Sequence, residues 1–329
     1  MDPKLDTFWS SLQQKLTARL AERIPRGAEV LYLEYPIYAN IGDLMIYLGT
    51  EGWLRRSGTK VVGRWHIQNF KFPSLPRDAV LLCQGGGNFG DLYPYIQAFR
   101  EAVVKAYPRN TIIFLPQTIH YDDPAHLEAS AKVLRRHPGL HILVRDNESL
   151  AIARAHFAGC ECLLAPDMAV WLHPIMESLN VRIPRSPRTG TLHLLRTDRE
   201  QHMEQSVPET APGWKGDWMD MLGFREWEIK FSMKVSRRLR KTKADRLVAV
   251  GWHFVARRVV TFCASRFLHA ETVVTSRLHG HILASLLGIP NILLDNSYGK
   301  NSAYFQAWHG ELDLARFAGT GIRQDVGTL

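Results

Sequence analysis

Cysteine is scarce, with four in 329 residues: Cys83, Cys160, Cys162 and Cys263. None belongs to a paired CxxC cluster, and the single residue between Cys160 and Cys162 suits neither a disulfide nor a zinc knuckle. A disulfide scaffold and a structural zinc site are therefore not expected, and a reduced, cytoplasmic protein without a metal is. No stretch approaches the roughly 18–20 apolar residues of a membrane span. The start Met1-Asp-Pro-Lys-Leu-Asp lacks the basic opening and apolar run of a signal peptide. Internal repeats and low-complexity tracts are also missing. Acidic residues are scarce in one segment above all. Between Lys230 and Arg266 stand eleven Lys and Arg against one acid, Asp245. The net charge of +9 is thus concentrated in one element, and the rest of the chain is nearly neutral. A solvated helix face fits this pattern. So does a patch facing an anionic surface such as lipid head groups, which makes peripheral membrane contact through 230–246 an expectation. Aromatic residues are not interleaved with these charges, so nucleic acid is not an expected partner.

What is present is an ordinary globular composition, 46% apolar and 22% charged, in a chain long enough for two cores of roughly 150 residues each. Residues 3–23 place Leu5, Phe8, Trp9, Leu12, Leu16 and Leu20 three or four apart, predicting an amphipathic helix. It is expected to pack on the body of the protein, with contact to a membrane through Phe8 and Trp9 as the other reading. Short β-rich runs follow at 29–33, 60–64, 79–83, 111–115 and 140–144, separated by helical runs. Near-continuous apolar strands alternating with helices predict a parallel sheet covered on both faces. Two prolines and a glycine at 180–190 read as a linker. A second unit follows, with strands near 191–195, 271–275 and 291–294, a polar loop from about 197 to 220, and long helices between 224 and 266. The fold class is α/β, two Rossmann-like domains over 1–182 and 183–329 with a cleft between them. Ligands in such sheets bind beyond the carboxyl ends of the strands, so the loops there are the candidates.

After the first strand, Asn40-Ile-Gly42-Asp43 opens a helix, with Asp43 placed as an N-cap. After the third, Gln84-Gly-Gly86-Gly87-Asn88-Phe-Gly90 contains a literal G-x-G-x-x-G. It follows the wrong strand for a dinucleotide fingerprint, and no acid ends the next strand. Its glycines instead let backbone amides cradle an anion or a sugar hydroxyl. Arg145 ends the fifth strand beside a helix N-terminus, a double positive feature that suits a phosphate or carboxylate, or a local Arg–Asp pair. Arg277 and His279 stand two apart in a turn that begins a helix. The arginine offers a fork for a small anion, and the histidine offers a proton near neutral pH. His281 reads as supporting. The last ligand-edge loop, Asp295-Asn296-Ser297-Tyr-Gly-Lys300, adds polar groups and a further cation.

Taken in order, Asn40-x-Gly42-Asp43, Gly85-Gly-Gly-Asn88-x-Gly90-Asp91, Leu115-Pro-Gln-Thr118, Arg145-Asp-x-Glu-Ser149, Ala165-Pro-Asp167, Thr275-x-Arg277-Leu-His279-Gly-His281 and Asp295-Asn-Ser-Tyr-Gly-Lys300 resemble the polysaccharide pyruvyl transferase family. The resemblance runs from about 30 to 310, and its last motif is similar to the exopolysaccharide biosynthesis branch. It implies an architecture like the GT-B glycosyltransferases, with phosphoenolpyruvate as co-substrate and no cofactor. A sugar would take a cyclic pyruvate ketal on two hydroxyls, with release of phosphate. It implies catalytic roles for His279 and Arg277, donor binding by Arg145 and, in some members, Lys300. Asn40, Asp43, Gly86, Gly87, Asn88, Asn296 and Ser297 are further substrate-binding candidates. The basic element leans toward a lipid diphosphate-linked acceptor at the inner face of a membrane. A nucleotide-sugar-dependent glycosyltransferase of the same architecture is the alternative. A non-catalytic, basic membrane-surface subunit of a polysaccharide assembly complex is the second.

Overall fold

The computed structural model describes residues 2–205, 207, 213–239 and 245–321. The first unit runs α1 (Pro3–Ala21), β1 (Glu29–Leu33), α2 (Ile41–Arg56), β2 (Lys60–Trp65), β3 (Val80–Cys83), β4 (Gly86–Gly90), α3 (Pro94–Ala106), β5 (Thr111–His120), α4 (Pro124–Leu134), β6 (Leu140–Val144), α5 (Asn147–His156), β7 (Glu161–Leu164) and α6 (Ile175–Leu179). The second runs β8 (Thr191–Leu194), β9 (Gly213–Gly216), α7 (Trp218–Leu222), α8 (Glu226–Leu239), α9 (Asp245–Phe267), β10 (Thr272–Thr275), α10 (Leu278–Leu286), β11 (Asn291–Leu293), α11 (Lys300–Tyr304) and β12 (Ala315–Phe317). Both sheets are parallel, in the orders β2-β1-β3-β5-β6-β7, with β4 paired to β5, and β12-β11-β10-β8-β9. The pair of sheets matches the two-unit α/β architecture expected from the alternation of strand and helix.

Several local expectations are corrected. The glycine run after β3 is not all loop, because Gly86–Gly90 forms β4 against an extension of β5. β5 consequently continues through Pro116 to His120 rather than ending at 115. Gly90 makes this pairing feasible. Its φ is +138°, and a Cβ there would meet the His120 carbonyl oxygen at 1.6 Å. Strand β9 lies inside the expected polar loop. It is a glycine-flanked edge strand without alternation, specified by pairing with β8 rather than by its own residues. The first turn of α2 is capped by Asn40, whose Oδ1 accepts from the amides of Gly42 (3.0 Å) and Asp43 (3.4 Å). Asp43 is therefore not the N-cap, and its carboxylate is released for other contacts.

Helix α1 packs on the body of the protein. Leu5, Trp9, Leu12, Leu16 and Leu20 are buried, and Trp9 lies against His173 and His309. Its apolar face is used up, so the membrane reading of Phe8 and Trp9 does not hold.

Helix α2 is enclosed on nearly all sides, by the segment Met168–Leu172 of its own unit and by α9 and α10 of the other. The apolar core is therefore continuous from Trp53 and Leu82 to Leu192, Trp218 and Val273. An interface of this apolar kind holds two units together as one body. A second cluster, around Phe89, Phe114 and Phe157, fills the other face of the first sheet. Helix α9 is long and apolar enough to cross a membrane by length and composition, contrary to the expectation that no stretch would be. Its Trp252, Val259, Cys263 and Phe267 are nevertheless core residues.

Candidate active site

Each sheet reverses its winding direction once, between β1 and β3 in the first and between β8 and β10 in the second. Ligands of doubly wound sheets bind at these reversals, beyond the strand carboxyl ends. Here the two reversals face one another. A small cavity of about 50 Å³ is lined from the first sheet by Asn40, Asp43, Gly87, Asn88 and Arg145, and from the second by Arg196, Arg277, His279 and Lys300. A larger groove of about 850 Å³ lies elsewhere, between β2 and α9. It contains none of the expected site residues, and its Arg64 is already forked on Glu51 (2.6 and 2.8 Å).

Arg145 is the anchor on the first side. It is buried, donates through Nε to Thr118 Oγ1 (2.9 Å), and pairs through Nη1 with Asp167 Oδ2 (2.6 Å). The neighbouring Asp146 is not its partner; it caps α5 by accepting from the Ser149 amide (2.7 Å). The remaining nitrogen, Nη2, turns to the cavity floor. A Cβ on Gly87 would sit 3.4 Å from Arg145 Nη2 and 3.7 Å from Lys300 Nζ. Gly87 thus leaves open a space that both cations face.

His279 stands opposite on the first turn of α10, with Nε2 3.4 Å from Asp167 Oδ2. Burial by itself would raise the Asp167 carboxyl, but facing His279 and Arg145 hold it well below the usual carboxylate range. Asp167 therefore stays ionised between an imidazole and a guanidinium. The ring of His279 also lies on the backbone of α2, since a Cβ on Gly42 would come within 2.6 Å of Nδ1. The glycine of the Asn-x-Gly-Asp motif is thus a seat for the histidine. The next residue, Asp43, is buried and accepts from Tyr38 Oη (2.9 Å). Burial raises its carboxyl above the ordinary value, against the lowering pull of His279 and Tyr38. Asn88 holds Tyr38 in turn (Nδ2 to Oη, 3.2 Å).

On the second side the cations are held by carboxylates. Arg277 forks onto Asp217 and donates through Nη1 to Asp198 Oδ2 (2.8 Å). Asp217 also accepts from the Thr197 amide and the Trp218 amide. Lys300 pairs with Glu200, which also takes Arg196 (2.6 Å) and the Tyr298 hydroxyl (3.0 Å). Asn296 is buried outside the cavity and supports it, its Oδ1 accepting the Lys300 amide (2.9 Å). Ser297 is exposed, and its amide donates to the Glu200 carbonyl (3.1 Å). Gly86 lies behind Asp43 at φ +124° and does not line the cavity. His281 is buried away from the cleft, tied to Asn291 and His309.

Arg196, Asp198, Glu200 and Asp217 do not stand out in the sequence as site residues. A signal is nevertheless present: Arg196-x-Asp198-x-Glu200 directly follows a strand expected to end at the ligand edge. Asp167 belongs to the Ala165-Pro-Asp167 motif, which by itself assigns it no role.

The chain matches the family described as polysaccharide pyruvyl transferase over residues 40–254 and 264–298. The chain belongs to the polysaccharide pyruvyl transferase family. It is 39% identical over 300 residues to the Bacillus subtilis (strain 168) protein named "Putative pyruvyl transferase EpsO", covering 91% of this chain and 90% of that one. It is 30% identical over 297 residues to pyruvyl transferase 1 of Schizosaccharomyces pombe, covering 86% and 70%. A crystal structure of an uncharacterized protein from Klebsiella pneumoniae subsp. pneumoniae shares the fold, with a TM-score of 0.63 at 19% identity over 93% of this chain and 98% of that one. The family match spans the cleft residues from Asn40 to Ser297. Lys300 lies just beyond it and enters the site through the fold.

Proposed function

We propose that this pyruvyl transferase moves the pyruvyl group of phosphoenolpyruvate onto two hydroxyls of a sugar, forming a cyclic ketal and releasing phosphate, in exopolysaccharide synthesis. The observation that carries the reading is the convergence of Arg145 Nη2 and Lys300 Nζ over Gly87, beside His279 in one small cavity. Phosphoenolpyruvate is a compact dianion or trianion with a protonatable methylene carbon. It needs two anion contacts and one acid in close quarters.

In the proposed sequence, His279 donates a proton to the methylene carbon, and an oxocarbenium-like centre develops at C2. An acceptor hydroxyl attacks C2 and gives its proton to Asp43, whose burial makes it a stronger base than an exposed carboxylate. The C2–O bond to phosphate breaks, and the second hydroxyl closes the ring, its proton leaving with phosphate. Arg145, Lys300 and Arg277 hold the carboxylate and phosphate as charge shifts between them. The deciding measurement is mass spectrometry of an acceptor sugar after incubation with phosphoenolpyruvate. A product heavier by one pyruvate ketal supports the reading. Transfer of a hexose from a nucleotide sugar instead would sink it.

A pH dependence follows from Lys300. Burial and neighbouring Arg196 lower its ammonium to about 8, against the opposing pull of Glu200. The cation is present below that pH and lost above it, so kcat/KM for the donor should fall as pH rises through about 8. In Lys300→Arg the guanidinium stays charged, and this fall should disappear. An unchanged alkaline limb in that variant would exclude Lys300 as its source.

A further inference from the structure

We propose that the outward face of α8 and α9 is a docking surface for an anionic lipid bilayer. The proposal is independent of the chemistry in the cleft. Phe224, Trp227 and Phe231 are 78%, 58% and 59% exposed, and Leu247, Val250 and Phe254 are 72%, 64% and 62% exposed. Trp227 and Phe231 stand four apart on α8, with Phe224 in the short turn just before it, and Leu247, Val250 and Phe254 are spaced three and then four on α9, so each helix carries its exposed apolar residues on one face. The helices lie side by side. Arg258 of α9 reaches back to Glu228 near the start of α8 (3.4 Å), as antiparallel neighbours require. Two helices thus present adjoining apolar stripes to solvent, which soluble surfaces rarely tolerate without a partner.

The exposed charges around the stripes are mostly cationic. Lys230, Lys234, Arg238 and Arg246 are exposed around the stripes. The acids Glu226 and Glu228 are already paired, with Lys230 (2.6 Å) and Arg225 (2.9 Å). An apolar stripe bordered by cations is the pattern of an interfacial helix on an acidic membrane. Contrary to the reading that no aromatics are interleaved with the charges, Phe231 follows Lys230 and Phe254 lies between Arg246 and Arg257. Leu247 and Val250 are aliphatic and offer a base nothing to stack on, so hydrocarbon fits the whole stripe better than nucleic acid. A second copy of the chain would bring like charges face to face, which costs stability. Crossing of the membrane by α9 is opposed by its own inner face. Trp252, Val259, Cys263 and Phe267 would have to leave the core. The hairpin is therefore placed on a membrane and not through it.

The test is co-sedimentation of the full chain with vesicles of phosphatidylcholine alone and with added phosphatidylglycerol, at low and high salt. Binding is expected to the phosphatidylglycerol vesicles and to weaken with salt. Each cation near an anionic surface contributes about fivefold in partitioning, so Lys230→Glu with Lys234→Glu and Arg238→Glu should reduce binding by about 100-fold or more. Trp227→Ser with Phe254→Ser should reduce it by roughly tenfold or more through lost apolar burial. Thermal unfolding of both variants, expected to match the parent, controls for folding, because every substituted side chain is exposed. Absence of binding to phosphatidylglycerol vesicles at low salt would overturn the proposal, as would undiminished binding in both variants. Preferential binding of a single-stranded oligonucleotide, or a dimer in sedimentation velocity that these substitutions dissolve, would overturn it in favour of those partners.

Discussion

Replacing His279 with alanine is expected to lower turnover by about 10²–10⁴-fold while leaving phosphoenolpyruvate binding nearly intact. The cavity separates two tasks. In the proposed reaction the anion contacts come from Arg145 and Lys300 around Gly87, and the imidazole beside them is the assigned proton donor. Loss of the ring also leaves Asp167 with its Arg145 partner (2.6 Å) and the Ala169 amide (2.8 Å), so the fold should survive. Phosphate release measures the turnover, and titration calorimetry measures the binding. Near-parental turnover in the alanine variant would remove His279 from the acid role. A matched loss of binding and turnover would make it an anion contact instead. Gly42→Ala should reproduce part of the effect, because the added methyl meets the ring at 2.6 Å and displaces it.

Substitution of Arg145 should have the other large effect, and on a different quantity. Arg145→Lys retains a charge but loses the fork that satisfies Thr118, Asp167 and the cavity at once. Its kcat/KM for the donor should fall by about 10²–10³-fold. Arg145→Ala should also destabilise the protein by about 3–5 kcal/mol, since it strips Asp167 of its buried partner. Denaturant unfolding reads the second effect and steady-state kinetics the first. A lysine variant with unchanged kcat/KM would show that the donor is held elsewhere in the cleft.

The state described is neutralised from within. Arg277 is held by Asp217 and Asp198, and Lys300 and Arg196 by Glu200. Asp198 and Glu200 sit on one loop after β8, and Asp198 is 42% exposed at its side chain. In the proposed reaction a donor anion would compete with this loop for Arg277, Arg196 and Lys300. Two domains flanking a cleft suggest catalysis gated by closure of one on the other. The apolar core that runs through α2 into both sheets opposes such a hinge. Exchange of loop carboxylates for substrate oxygens is the smaller motion that frees the same cations.

Several groups of this site are legible in the amino-acid sequence alone. Strand-end position singles out Asn40, Arg145, Arg277, His279 and Lys300, because a parallel sheet sends its functional loops to one edge. Roles that depend on a contact from a distant segment are not legible in this way. Gly42 reads as a turn glycine, yet its task is to seat a histidine from α10. Asp43 reads as a cap until Asn40 takes that place and leaves its carboxylate beside the cavity. Asp167, Glu200 and Asp217 carry no local pattern that announces a partner 22, 100 or 60 residues away. On the surface, +10 of charge between 230 and 266 is plain in the sequence. That Lys230, Lys234, Arg238 and Arg246 border one apolar face follows only once two helices pack as neighbours.

The sequence by itself determined the α/β class, the order of most strands and helices, and the residue types gathered at the strand ends. These follow from apolar periodicity and from backbone chemistry, which act within a few residues. The tertiary structure decided which carboxylate holds each cation, which glycine makes room for which ring, and that α9 lies in the core with one face left in water. Those outcomes depend on approach between segments far apart in the chain, where burial fixes both the cost of an unpaired charge and the partner that removes it.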